Sequence, residues 1–83
     1  MQQSFKRPSD ADVWYLLAET YGKANNITGV HQARAEYFVL TGHLDQAIRQ
    51  LEYALPLTRD NYQLNAKIVQ RIRDIHEIRK KRL

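Results

Sequence analysis

Apolar residues recur at steps of three and four along four separate stretches of this chain, the spacing that brings side chains onto one face of an α-helix. The first stripe is Val13, Trp14, Leu17, Ala18 and Tyr21. The second is Val30, Ala33, Ala35, Tyr37, Phe38 and Leu40, and the third is Leu44, Ala47, Ile48, Leu51, Ala54 and Leu55. The fourth runs Leu64, Ile68, Ile72, Ile75 and Ile78. Between the stripes stand residues that start or stop helices. In Ser9-Asp-Ala-Asp12 the Ser side chain can accept from a free helix N–H, and the acidic residues suit the positive end of the helix dipole. Gly22 and Asn25-Asn26 tolerate the left-handed backbone that closes a helix. Asn26 or Thr28 can cap the second helix, and Thr41-Gly42 stops it. Pro56 removes an N–H and closes the third, and Asp60-x-x-Gln63 has the form of a capping box for the fourth. The expectation is an all-α chain of four helices with short turns and no strand.

Eighty-three residues allow one domain, and one with a thin core, since a chain of this size buries only about 60% of its unfolded surface. The absence of Cys excludes disulfides, thiolate metal sites and Cys nucleophiles. It fits the cytosol and the periplasm equally. No apolar run reaches the roughly 18 residues that span a bilayer, and the N-terminus lacks the apolar core of a signal peptide, so any export signal would lie upstream. Residues 1–8 have no apolar periodicity and read as a flexible tail to a domain over 9–83. The net charge of +4 is uneven. Residues 67–83 hold seven Lys or Arg against Asp74 and Glu77, whereas residues 1–66 are close to neutral. A broad basic footprint for nucleic acid is therefore missing.

The third stripe and its turn read Gly42-His-Leu-Asp45-Gln-Ala47-Ile48-x-x-Leu51-x-x-Ala54-Leu55. This resembles the second half of a tetratricopeptide repeat, in which small residues let helix backbones approach and a large one fills the gap between them. Ala35 and Phe38 match the repeat's first helix, while His31 and Arg34 stand where it prefers Trp and Leu. Trp14-x-x-Leu17-Ala18-x-x-Tyr21 resembles the repeat's opening line. Trp14 lies 33 residues before Ala47, about twice the separation inside one repeat. Either the first two helices form a repeat with a lengthened turn, with Ala33 and Tyr37 in its second half, or the chain holds displaced half-repeats. Both imply a right-handed stack of about four antiparallel helices.

A closer likeness lies in Leu16-Leu17-Ala18-Glu19-Thr20-Tyr21-Gly22, Ala33-Arg34-Ala35-Glu36-Tyr37-Phe38, and the run from Gly42 to Leu51, with Asn61-Tyr62-Gln63-Leu64-Asn65-Ala66-Lys67-Ile68 beyond. These runs resemble the C-terminal end of bacterial periplasmic zinc metalloproteases of the β-barrel assembly-enhancing type. Those proteins carry tetratricopeptide repeats behind a protease domain and assist outer-membrane protein assembly. The resemblance implies a periplasmic recruitment domain whose partners are protein clients or outer-membrane assembly components.

The residues offer no catalytic constellation. His76-Glu77-Ile78-Arg79-Lys80 departs from the H-E-x-x-H zinc motif at its last position, where a lysine cannot ligate zinc. Ser4 and Ser9 are the only serines. His31, His43 and His76 are scattered, so neither a metal nor a cofactor is expected. A grip on a terminal carboxylate is disfavoured as well, because Glu19 and Glu36 fall where the carboxylate-binding repeats place polar or basic side chains. Trp14, Tyr21, Tyr37, Phe38 and Leu51 fit a core. Tyr15, Tyr53 and Tyr62 fall off the main stripes and are candidates for a protein-contact surface. A helix starting near residue 60 would be about 33 Å long against about 20 Å for its neighbours, so Ile75 and Ile78 are expected to project and to dock a partner or a second copy. The rival reading is a basic helical adaptor that meets nucleic acid or anionic membrane through Lys67 to Arg82.

Overall fold

The computed structural model describes residues 10–82, so Ser9 and the tail at 1–8 lie outside the described residues. Within them the chain is an all-α stack with no strand: α1 (Ala11–Lys23), α2 (Ile27–Leu40), α3 (Leu44–Ala54), a 3₁₀ turn (Leu55–Thr58) and α4 (Tyr62–Arg82). Each helix packs on the next in chain order.

The stops and starts follow local chemistry, with three departures from expectation. Asp10 takes the cap of α1 that the sequence pattern assigns to Ser9, its carboxylate accepting from the Asp12 N–H at 2.9 Å. Gly22 stays helical. The left-handed residue after α1 is Asn25, at φ 63°. Asn26 then caps α2, its side-chain oxygen accepting from the Gly29 N–H at 3.0 Å. At the next turn Gly42 takes φ 86°, which only glycine adopts without strain. The third departure is at α4. Asn61, not Asp60, is its capping residue, its side-chain oxygen accepting from the Leu64 N–H at 3.0 Å. The helix therefore starts one residue later than the Asp60-x-x-Gln63 pattern proposes. Pro56 sits at the start of the 3₁₀ turn, and α3 closes just before it, at Ala54, as its missing N–H requires.

The core is aliphatic. Ala35, Leu44, Ala47, Ile48, Leu51, Ala54, Ile68 and Ile75 form one cluster, with Phe38, Val39, Leu55, Leu64, Ile72 and Ile78 packed against it. The alanines that carry the repeat resemblance, Ala35, Ala47 and Ala54, are all at 0% exposure, so α2, α3 and α4 meet over side chains with no bulk. Between α1 and α2 the close approach is at Gly29, where an added Cβ would stand 2.8 Å from the Tyr21 ring. Trp14, Tyr21, Tyr37 and Phe38 are half-buried. They edge the core and do not fill it.

Ile75 corrects the largest sequence expectation. It does not project from the bundle; it is fully buried, and Ile78 is half-buried. The surface that α4 packs on is longer than α3 alone. The 3₁₀ turn extends it at one end, and Phe38 and Val39 near the end of α2 join the same core cluster as Ile75. Arg79 reaches Asp45 in the first turn of α3, which ties down the distal half of α4. The 3₁₀ turn is held from within by Thr58, at 1% exposure. Its hydroxyl donates to the Leu55 carbonyl at 2.8 Å and accepts from the Asn65 amide at 2.9 Å. Both polar needs of this buried group are thus met.

Candidate protein-binding site

A groove of about 290 Å³ takes side chains from all four helices. Trp14 and Tyr21 enter from α1, and Gln32 and Glu36 from α2. Lys67 and Arg71 enter from α4, while buried Ala33, Leu51 and Ile68 lie beneath. Successive helix packing produces the depression, because α4 is brought back to α2 by a two-pronged ion pair. Arg71 Nε and Nη2 donate to the two Glu36 carboxylate oxygens, each at 2.7 Å. The hydrogen bond to Glu36 raises the Arg71 guanidinium above its ordinary value, against the burial that lowers it. This parallel two-bond geometry fixes direction as well as charge. Lys67 is exposed and, among the described residues, forms no ion pair. The groove thus offers two aromatic walls, one amide, one free ammonium and one internally neutralised pair.

A second groove of about 320 Å³ lies between α1 and α2. Ala18 and Val30 are buried in it, and Tyr15, Tyr37 and Phe38 line it. The Tyr15 and Tyr37 rings meet at 5.8 Å, and Tyr37 meets Phe38 at 5.7 Å.

The structure does not gather the predicted site residues. Tyr15 lines the second groove. Tyr53, about half exposed, stands on α3 against the His31 ring at 5.7 Å. Tyr62, at 85% exposure, lies at the start of α4. Neither Tyr53 nor Tyr62 lines either groove. Ile75 is spent on the chain's own core. What sequence reasoning missed was the second role of Trp14 and Tyr21, assigned to the core, and the pairing of Glu36 with Arg71 across 35 positions. No local pattern announces that pair. His31, where the repeat prefers Trp, is held to Gln50 at 2.8 Å.

Among the described residues no three His, Asp or Glu side chains could hold a metal ion together. His76 contacts Arg79, and Glu77 pairs with Lys80. No helix among the described residues is long and apolar enough to cross a membrane. The basic segment is partly consumed, since Arg71 and Arg79 turn to acids on α2 and α3. No family model matches the chain, and no solved structure matches it at a significant level.

Proposed function

We propose that this chain is a non-catalytic interaction module of the tetratricopeptide-repeat kind. In this reading it recruits or positions extended protein segments for a periplasmic zinc metalloprotease that serves outer-membrane protein assembly. One observation carries the reading: the groove built from all four helices, with Trp14 and Tyr21 on α1 and Gln32 on α2 facing the same space as Lys67 on α4. Such a lining suits an unfolded segment. The aromatic walls accept apolar side chains, the amide can meet a peptide backbone group, and the ammonium can meet an acid. The repeat register at Ala35, Ala47 and Ala54, all fully buried, supports the kinship on which the periplasmic assignment rests.

The basic-adaptor reading loses support from the two arginines committed to Glu36 and Asp45. Trp14 is the sole tryptophan, so its emission reports on the groove directly. Titration with a peptide copying one strand of an outer-membrane β-barrel should shift that emission saturably, and Lys67→Glu with Gln32→Ala should weaken the response. Duplex DNA or anionic vesicles should leave it unchanged at physiological salt. Saturable binding to DNA with no response to any peptide would replace this reading by its rival. The purified chain should also hydrolyse no casein and gain no thermal stability from zinc.

A further inference from the structure

We propose that the α1–α2 face is covered by a second copy of this chain, in a two-fold dimer whose axis runs along the second groove. Its lining is apolar except for one acid and one base, Glu19 on α1 and Arg34 on α2. Both are exposed, and among the described residues neither forms an ion pair, with the other or with anything else. Their heights along the groove are set from both sides. Gly22 lies against Val30 near the turn, and Tyr15 meets Tyr37 towards the far end. Glu19 and Arg34 each fall between these contacts, on opposite banks and at nearly the same level.

A two-fold axis along the groove lays α1 of one copy over α2 of the other. Glu19 then faces Arg34 of the partner subunit, and Arg34 faces Glu19 of the partner subunit. Both unpaired charges are matched by the same operation, as a self-complementary surface requires. The apolar content is matched as well. Tyr15, at 56% exposure, stands on the α1 bank of the groove, and the half-buried Tyr37 and Phe38 stand on its α2 bank. Their pairing would remove aromatic surface from water where solvent now meets it. An unrelated partner would need its own acid and base at this one separation; a second copy supplies both.

The test uses the full chain and its charge reversals. Sedimentation from micromolar to millimolar concentration should show a monomer–dimer equilibrium for the native protein. Glu19→Arg and Arg34→Glu should each weaken association by roughly tenfold or more, because each places like charges together across the axis. An equimolar mixture of the two variants should recover association, since every facing pair is then opposite in sign. Far-ultraviolet circular dichroism should be unaltered in both, as the two positions are exposed. A native chain that stays monomeric throughout, single variants that dimerise like the native chain, or a mixture no tighter than either variant would each overturn the proposal.

Discussion

Replacing Ile75 with Ala tests the placement of the distal half of α4, the point on which structure and sequence expectation differ most. Ile75 is at 0% exposure within the cluster that joins α2, α3 and α4. Burying an isoleucine side chain contributes about 1.5–3 kcal/mol, and the cavity left by truncation raises the loss to about 2–5 kcal/mol. An 83-residue chain at typical stability holds only about 4–12 kcal/mol in total, so a large share of it is at stake. Near the midpoint each kcal/mol moves Tm by about 4–8 °C for a domain of this size. The thermal midpoint followed by circular dichroism should therefore fall by at least about 8 °C. Tyr62→Ala, at an 85% exposed position, should change stability by no more than about 0.5 kcal/mol. The reasoning is refuted if Ile75→Ala melts with the native chain, because that is the behaviour of a side chain projecting into water.

Four further outcomes follow from named contacts. Ala47→Leu and Ala54→Leu should each cost about 1–3 kcal/mol in urea unfolding, because there is no space at either site; an unchanged midpoint for both would remove the close helix contact. Gly29→Ala should destabilise, although Ala inside a helix normally gains about 1 kcal/mol over Gly, since its Cβ would lie 2.8 Å from both the Tyr21 ring and the Asn26 side chain; a stabilised variant would mean that α1 and α2 are further apart. Asn61→Ala should cost about 0.5–2 kcal/mol through loss of the helix cap, and Asp60→Ala clearly less; the reverse order would restore the Asp60 capping box. Glu36→Gln should cost about 1 kcal/mol, as the pair is only partly buried. Because the Arg71 pKa is raised, what it contributes is fully present below the ordinary guanidinium range and lost only as pH climbs through the raised value. The Glu36→Gln loss should thus be constant across neutral pH, and a loss confined to the alkaline side of neutrality would contradict the assignment.

Much of the fold was legible because helical periodicity is local. The stripes from Val13 to Ile78 each lie within one helix, save Leu55, which opens the 3₁₀ turn, and Gly42, Asn26 and Pro56 act where their backbone chemistry puts them. The alanine register at Ala35, Ala47 and Ala54 was readable too, since small residues among large ones mark a close approach. Three things were not legible, for physical reasons. Asp60 and Asn61 are both competent caps, and only the path leaving the 3₁₀ turn decides between them. Helix lengths alone leave Ile75 projecting, and its burial depends on a cluster drawn from α2, α3 and α4, which no single stripe reveals. The groove needs Trp14 and Lys67 to meet across more than fifty positions of sequence. Such a meeting is set by the packing order of the helices and leaves no local spacing to read.

The measurement that bears most directly on the interaction-module account is amide chemical-shift mapping of the labelled full chain during titration with the β-barrel strand peptide. The account predicts shifts concentrated at Gln32, Ala33, Glu36, Lys67 and Arg71, together with the Trp14 indole, and saturating along one binding curve. Shifts confined to residues 79–82, or none at all up to millimolar peptide, would contradict it.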